Sequence, residues 1–205
     1  IYYREKQNFD HFDVSLSVVI QKMVNSEKSG VMFTANPINN SKNEMRINAS
    51  WGLGEAVVSG IVTPDEYIID KNTKKVIEKN IATKNYMVVK KEDGVGTVQV
   101  NVKDVLGEEA VKGECLNDRE LQTLIERGLK VEELYGSVQD TEWGFDKDTK
   151  EFYFLQSRPI TTLEEKKEEV LKQIAKGLPA SPGLGRGKVK LIKDISEINL
   201  VKEGD

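Results

Sequence analysis

The chain has 205 residues, enough for one ordinary domain with a hydrophobic core, or for one domain and part of another. Hydrophobic residues make up 38% of it and charged residues 31%, a balance typical of globular rather than disordered proteins. The formal net charge of −4, with both signs mixed along the chain, argues against nucleic-acid binding, which needs a basic surface. No apolar run approaches twenty residues, so the sequence predicts no membrane span.

Cys115 is the sole cysteine of the sequence, so no internal disulfide can form. This cysteine usage fits a reducing compartment and predicts a cytoplasmic protein. No histidine lies near Cys115 in the sequence, and we therefore interpret it as an incidental cysteine rather than a catalytic thiol.

The first part of the chain predicts the end of a helix followed by an antiparallel meander. Residues 1–6 are typical of a helix end, and because the sequence opens without Met we expect an excised fragment. The β-branched run at residues 17–24 predicts a strand. A turn at residues 26–30 leads to a second predicted strand at 31–34, and a third begins at 44–49. The connections are too short for helical crossovers, which favours antiparallel pairing.

Glycines within residues 51–60 lie between a predicted strand and a short predicted helix. Backbone amides in such a loop can approach a phosphate group, although a plain strand-to-helix turn is the commoner explanation. The acid of this segment, Glu55, stands at the helix start, a position that the helix dipole favours.

Residues 63–102 alternate apolar and polar side chains and predict a strand-rich excursion. Beyond it, Asn117 and Glu120 form a predicted capping pair, apolar spacing predicts a helix over residues 118–135, and Gly136 is a natural stop. We interpret the frequent lysines of the excursion as a solvated face: Lys71, Lys74, Lys75, Lys79, Lys84, Lys90 and Lys91.

Two aromatic-rich segments, residues 140–145 and 152–159, predict a β-hairpin because apolar and polar residues alternate in both. The polar residues 146–150 between them predict a turn. The register expected for this turn gives three cross-strand pairs: Gly144 with Phe152, Glu142 with Phe154, and Asp140 with Gln156.

That register places four polar side chains on one face of the hairpin: Asp140, Glu142, Gln156 and Arg158. A loop of even length would instead send the acids and the Gln–Arg pair to opposite faces. Hard oxygen donors suit Mg²⁺ and a planar guanidinium suits a phosphate, so the cluster predicts a metal–phosphate site. The alternative is that these residues are the solvated face of a half-buried sheet.

The character of the chain changes after Pro159. Residues 163–176 predict a highly charged, solvent-exposed connecting helix. Residues 177–187 are too rich in Gly and Pro for the interior of a helix or strand, and a new predicted strand begins near residue 189. The sequence therefore predicts a second unit after a linker.

Four motifs occur in an order that resembles the phosphoenolpyruvate synthase family, with its relatives the pyruvate phosphate dikinases and rifamycin phosphotransferases. They are Gln21-Lys22-Met23 with residues 30–34, the segment 51–60, the acid–Gln–Arg hairpin, and Ala180-Ser181-Pro182-Gly183. The resemblance implies an α+β fold, the C-terminal half of an ATP-grasp domain at residues 1–162, with a mostly antiparallel sheet and a few helices. A linker helix at 163–176 and the first strands of a swivelling phosphohistidine domain at 177–205 would follow.

The resemblance also implies a substrate, ATP, and a cofactor, Mg²⁺. Glu142 and Gln156 would hold the metal, with Asp140 as a supporting acid. Arg158 would contact the nucleotide phosphates, and it would share the catalytic role with Glu142.

On the other side of the nucleotide, the resemblance assigns adenine to Gln21 and Met23. It makes Glu55 a candidate for the ribose or for a second Mg²⁺, beside its interpretation as a helix-start acid. The family's carrier histidine has a Gly-rich, Ser/Thr-rich setting that His11 lacks. We therefore expect His11 to be an exposed loop residue and the carrier histidine to lie outside this chain.

The implied reaction transfers the β-phosphoryl group of ATP to the mobile histidine and then to pyruvate, giving phosphoenolpyruvate, AMP and phosphate. The implied partners are the N-terminal half of the ATP-grasp domain and the phosphohistidine domain of the same polypeptide, with no nucleic acid and no membrane. We expect no turnover by the fragment alone. The alternatives are a rifamycin phosphotransferase, a pyruvate phosphate dikinase, and a non-catalytic nucleotide-binding module.

Overall fold

The computed structural model describes residues 2–6, 8–10, 17–161 and 163 of the chain. Within these ranges the helices are α1 (Tyr2–Lys6), α2 (Glu55–Val58), α3 (Val102–Leu106), α4 (Glu108–Lys112) and α5 (Asp118–Tyr135). The strands are β1 (Ser26–Phe33), β2 (Glu44–Trp51), β3 (Asp65–Asp70), β4 (Lys75–Asn80), β5 (Tyr86–Lys90), β6 (Thr97–Asn101), β7 (Gln139–Asp146) and β8 (Phe152–Pro159).

Six of these strands form one sheet in the order β4-β3-β2-β1-β7-β8, and every neighbouring pair is antiparallel. Strands β5 and β6 form a separate two-stranded sheet, also antiparallel. The predicted α+β class with a mostly antiparallel sheet is confirmed.

Helix α5 begins and ends where the sequence predicts. The Asn117 side chain accepts a hydrogen bond from the Glu120 amide at 2.9 Å, and the Glu120 carboxylate accepts one from the Asn117 amide at 3.0 Å. This capping box satisfies amides that have no partner inside the helix. Gly136 ends the helix in the left-handed conformation, with φ of 64°.

One face of the six-stranded sheet packs against α5 and forms the main core. Leu121, Leu124 and Ile125 of the helix are buried against apolar residues from the central strands. At Gly128 the helix approaches the sheet so closely that a Cβ atom would lie 2.6 Å from the Met32 Sδ atom. A larger residue at this position would have to displace the buried Met32 side chain, so glycine suits this spacing between helix and sheet.

Two lysines of the sheet region hold opposite ends of α5 on this face. The Lys28 Nζ atom donates to both Glu120 carboxylate oxygens at 2.9 Å, and its ammonium also lies over the Trp51 and Phe145 rings. Near the other end, Lys71 Nζ donates to both oxygens of Glu132 at 2.8 and 2.7 Å. These charge-assisted contacts, together with the apolar packing, fix the position of α5 along its own axis.

The predicted strand at residues 17–24 is wrong, because this segment has no strand structure. Most of its apolar side chains are exposed, to 82% for Val18 and Val19 and 97% for Ile20. The predicted turn at 26–30 is also wrong, since those residues form the first part of β1. That strand pairs with β2 on one side and with β7 on the other, and these long-range partners decided where the strand lies.

The interpretation of the excursion lysines as a solvated face is wrong for Lys84, whose side chain is 0% exposed. Its Nζ atom bonds the equally buried Asp65 carboxylate and the Ala82 carbonyl. Asp65 also accepts hydrogen bonds from the Ala82 and Cys115 amides at 3.0 and 2.8 Å. A buried lysine needs such partners, because an unpaired ammonium in the interior is very costly.

Cys115 is buried, consistent with the interpretation of an incidental cysteine. Burial raises the pKa of its thiol well above the ordinary value, and the negative charge of Asp65 raises it further. The thiol is therefore protonated at neutral pH and is a poor nucleophile.

Several predictions concern residues outside the described ranges. They are the exposed loop around His11, the body of the linker helix at 163–176, and the strand within 177–205. Within the described ranges, none of the helices has the length and apolar character needed to cross a membrane.

Candidate functional site

Strands β7 and β8 bring the four polar residues of the hairpin to the face of the sheet opposite α5. Asp140 lies directly opposite Arg158, and Glu142 lies directly opposite Gln156. Directly opposed residues of an antiparallel pair project from the same face. All three predicted cross-strand pairs are wrong, because Gly144 lies opposite Tyr153 rather than Phe152, and the partners of Glu142 and Asp140 are Gln156 and Arg158. The shared face is nevertheless as the alternation predicts.

A β-bulge at Leu155 is responsible for this arrangement. Near the turn, Phe145 pairs with Phe152 and Trp143 with Phe154, so the residues between Phe145 and Phe152 are even in number. Continued without a shift, this register would send Gln156 to the face opposite Glu142. The pairing shifts between Trp143 and Glu142, Leu155 is the extra residue, and Gln156 returns to the Glu142 side.

Asp140 and Arg158 form an ion pair at the end of this face. The Arg158 Nε and Nη2 atoms lie 2.8 and 2.7 Å from the Asp140 Oδ2 atom. The Arg158 side chain is 69% exposed, whereas that of Asp140 is 13% exposed. The contact orients a guanidinium that is open to solvent and able to contact a phosphate.

The donor set of Glu142 and Gln156 fits Mg²⁺, whereas the third predicted metal residue, Asp140, is paired with Arg158. A carboxylate and an amide oxygen lie side by side on neighbouring strands, and Glu142 lines a cavity. Magnesium is commonly held by one or two protein oxygens, with phosphates and water completing its shell. Asp140 is engaged by Arg158, and no cluster of three or more His, Cys, Asp or Glu residues suited to a metal occurs in the described ranges.

A cavity of about 380 Å³ adjoins Glu142 and brings together further residues that the sequence singles out. Gln21, Met23, Glu55 and Glu142 all line it, although they come from three separate parts of the chain. The remaining lining residues are Lys22, Val24, Ser26, Leu53, Gly54, Val58, Thr97 and Leu155. The cavity is large enough for part of a nucleotide.

The segment that carries Gln21 and Met23 is held by the β7–β8 turn rather than by strand pairing. The Asn25 amide donates to Asp146 Oδ2 at 3.2 Å, and the Lys147 amide donates to the Asn25 carbonyl at 3.0 Å. Asn25 Nδ2 also donates to Asp148 Oδ2 at 3.1 Å. The segment is fixed at this end and passes along one wall of the cavity.

The loop between β2 and α2 is a strand-to-helix turn whose first amides are used within the protein. The Gly52 amide donates to the Glu27 carbonyl and the Leu53 amide to the Val88 carbonyl, both at 2.8 Å. These two amides are therefore engaged and do not cradle a phosphate. Glu55 follows in the first turn of α2, and its Oε2 atom accepts a hydrogen bond from Thr97 Oγ1 at 2.8 Å.

Sequence reasoning missed Thr97 and Leu155 as cavity residues. Thr97 lies 42 positions from Glu55 in the chain, and no motif joins them. Leu155 reads as an ordinary apolar residue of an alternating strand, because a bulge leaves no mark in such a pattern. The β-bulge could be anticipated only by combining two conditions: an even number of residues in the β7–β8 loop, and Glu142 and Gln156 on the same face of the sheet.

Known proteins resemble the chain over its whole length. The family described as "Pyruvate phosphate dikinase, AMP/ATP-binding domain" matches residues 1–177. A probable phosphoenolpyruvate synthase of Pyrococcus horikoshii is 57% identical over 211 residues, covering 100% of this chain and 26% of that protein. The phosphoenolpyruvate synthase of Pyrococcus furiosus is 57% identical over 212 residues, with the same shares.

A probable phosphoenolpyruvate synthase of Methanocaldococcus jannaschii is 50% identical over 213 residues, covering 100% of this chain and 17% of that protein. The chain thus spans 26% or less of the length of these three curated relatives.

Proposed function

The chain belongs to the family of pyruvate phosphate dikinase AMP/ATP-binding domains, and from this premise we propose that it forms one side of the ATP site of a phosphoenolpyruvate synthase. Under this proposal, residues 1–162 are the C-terminal half of an ATP-grasp domain. A linker helix at 163–176 and the beginning of a phosphohistidine domain at 177–205 follow.

The observation that carries the proposal is the convergence of separate motifs on one cavity. Gln21, Met23, Glu55 and Glu142 line the same space, and Gln156 stands directly opposite Glu142. A solvated sheet face has no reason to adjoin a partly apolar cavity lined by these particular residues. A nucleotide, by contrast, needs an apolar wall for its base and oxygen donors for its metal-bound phosphates.

The base would lie against the segment that contains Gln21 and Met23. Its backbone is not engaged in strand pairing within the described ranges, so amides and carbonyls there can bond the adenine edge. The Gln21 amide offers a further donor and acceptor. Leu53 and Val58 supply apolar surface to the same cavity.

The phosphates would lie along the open sheet face towards Arg158. Glu142 and Gln156 would hold Mg²⁺, which when bound neutralises phosphate charge. Arg158, oriented by Asp140, would stabilise the negative charge that develops as the phosphoryl group departs. Asp140 acts in this scheme on the guanidinium rather than as a metal ligand.

The whole protein would catalyse the conversion of ATP, pyruvate and water to phosphoenolpyruvate, AMP and phosphate through a phosphohistidine. This chain would supply part of the nucleotide half-reaction. The other half of the ATP-grasp domain, the carrier histidine and the pyruvate site would come from further parts of the same cytoplasmic polypeptide. We therefore expect no AMP formation by the 205-residue chain alone.

The names of the similar proteins favour a synthase over a rifamycin phosphotransferase or a pyruvate phosphate dikinase. A non-catalytic nucleotide-binding module is the alternative of another class. Such a module does not require a carboxylate, an amide and a guanidinium on one sheet face, and its binding of ATP would not depend on Mg²⁺.

Titration of the full-length protein with ATP, with and without Mg²⁺, tests the proposal. We expect Mg²⁺-dependent binding that Glu142→Ala weakens at least about tenfold, because a metal ligand is lost. Glu126→Ala, an exposed acid on α5, is the matched control and should bind like the wild type. Metal-independent binding would support the non-catalytic nucleotide-binding module instead, and no binding of ATP would contradict both.

A further inference from the structure

Asp146, the last residue of β7, holds two distant parts of the chain with one carboxylate. Its Oδ1 atom accepts hydrogen bonds from the Asp148 and Thr149 amides, both at 2.9 Å, within the β7–β8 turn. Its Oδ2 atom accepts a hydrogen bond from the Asn25 amide at 3.2 Å, although Asn25 lies 121 positions away in the chain. The carboxylate therefore closes the turn of the hairpin and also attaches the segment that precedes β1.

The attached segment, residues 21–24, has little other support. Among the residues that the structure describes, no hydrogen bond joins these four residues to the rest of the chain. The Met23 side chain is 57% exposed. The segment lines the nucleotide cavity and also a second cavity of about 230 Å³, which it shares with Tyr153 and Phe154 of β8. Because it lines two cavities instead of packing into a core, its position depends on the attachment at Asn25.

The same hairpin carries the proposed metal and phosphate residues, but these are fixed in another way. Glu142 lies on β7, and Gln156 and Arg158 lie on β8. Backbone pairing of β7 with both β1 and β8 sets their positions. Loss of the contact between Asp146 and Asn25 would therefore release one wall of the cavity and leave the polar face of the hairpin in place.

We infer that Asp146 is a positioning residue that holds residues 21–24 in place at the nucleotide cavity and thereby sets the affinity for ATP, with no part in phosphoryl transfer. This inference rests on the proposed ATP site. A wall that is already ordered does not have to be ordered when the ligand binds, so the ligand binds more tightly. If the wall is released, the dissociation constant rises as the fraction of binding-competent protein falls.

Asp146→Asn separates the two contacts of the carboxylate. Asparagine keeps one oxygen to accept the turn amides, but its NH₂ group cannot accept a hydrogen bond from the Asn25 amide. Calorimetric titration of the full-length protein with ATP and Mg²⁺ should show about fivefold weaker binding. The rate of AMP formation at saturating ATP, and the Mg²⁺ concentration that gives half of this rate, should each change less than about twofold, because Glu142, Gln156 and Arg158 keep their places.

Asp70→Asn is the matched control. Asp70 is also half-buried at the end of a strand, and its Oδ1 atom accepts a hydrogen bond from the Thr73 amide at 2.7 Å in the β3–β4 turn. Within the described ranges it has no hydrogen bond to residues 21–25, so this variant should bind ATP like the wild type.

A second pair of variants acts on Asn25 and leaves Asp146 unchanged. Asn25→Pro removes the amide that Asp146 holds, and it should weaken ATP binding as much as Asp146→Asn does. Asn25→Ala keeps this amide and loses only the exposed side-chain bond to Asp148, so it should weaken ATP binding less than about twofold.

Three results would overturn the inference: wild-type affinity for ATP in both Asp146→Asn and Asn25→Pro, an equal loss of affinity in Asp70→Asn, or a saturated rate that falls as far as the affinity. The last result would indicate that Asp146 acts through the metal and phosphate residues. If the wild type does not bind ATP, the proposed ATP site fails and the inference fails with it.

Discussion

The two faces of the six-stranded sheet carry different kinds of side chain on the same strands. On the face covered by α5, Met32, Met45 and Trp143 are at most 1% exposed and contribute to one continuous core. On the opposite face, Glu142 is half-buried and Gln156 is exposed. Strand β7 contributes to both faces, since its odd-numbered residues lie on the side of the helix and its even-numbered residues lie on the open face, where Glu142 lines the cavity.

Residues that serve function and residues that serve stability therefore alternate along these strands, as the pleat of a strand requires. A substitution on the open face should change ligand binding or rate with little effect on the free energy of unfolding. A substitution on the helix-covered face should do the reverse. The following predictions test that separation.

The largest expected effect is on the open face. Arg158→Met removes the guanidinium, and we expect the rate of AMP formation by the full-length protein to fall about a thousandfold, because charge on the departing phosphoryl group loses its partner. The free energy of unfolding should change by less than about 0.5 kcal/mol, since the side chain is 69% exposed. Arg119→Met, an exposed arginine of α5, is the control. An unchanged rate would contradict the proposed role.

The next effect is on the helix-covered side. Asp65→Ala leaves the Lys84 ammonium buried without its partner, and we expect a loss of about 3 kcal/mol in the free energy of unfolding, measured by urea denaturation. Glu114→Ala breaks the more exposed pair with Lys79 and should cost less than about 1 kcal/mol. Similar losses in the two variants would show that burial of the Asp65–Lys84 pair is not what matters.

A smaller effect is expected where Lys28 holds the start of α5. Lys28→Met keeps most of the apolar stem against Trp51 and Phe145 but leaves Glu120 without its cation. We expect a loss of about 2 kcal/mol in the free energy of unfolding. Lys150→Met, which breaks the exposed pair with Glu27, should change it by less than about 0.5 kcal/mol. Equal losses of stability in the two variants would contradict the role of Lys28 in holding the start of α5.

The smallest effect concerns pH. Burial, followed by the charge of Asp65, raises the pKa of the Cys115 thiol in the folded state. Above the ordinary thiol pKa the unfolded chain loses its proton while the folded chain keeps it, so stability falls as pH rises. Between pH 8 and pH 9.5 we expect this group to remove about 1 kcal/mol. Cys115→Ala should flatten the decline over that range, and an unchanged decline would contradict the assignment.

Much of the fold could be read from local sequence signals. The capping box at Asn117 and Glu120, the apolar spacing of α5 and the stop at Gly136 depend on residues a few positions apart. The alternation in β7 and β8 likewise identified the polar face. These features follow from short-range hydrogen bonds and from the periods of helix and strand, which the sequence states directly.

Other features required the tertiary structure. Residues 17–24 have strand propensity, but a strand forms only beside a neighbouring strand. The segment with such neighbours is β1 at residues 26–33, which pairs with β2 and β7. The sequence around Lys84 resembles that around the exposed lysines of the same region. Its side chain is nevertheless buried, because it pairs with Asp65, 19 positions away.

Local patterns in the sequence thus specify which residue types are available for an ATP site and most of the elements that carry them. Their arrangement depends on the folded chain: the bulge at Leu155 returns Gln156 to the Glu142 side, and the Thr97 hydroxyl bonds Glu55. Propensity and period act over a few residues, whereas register, burial and side-chain pairing depend on partners that only folding brings close.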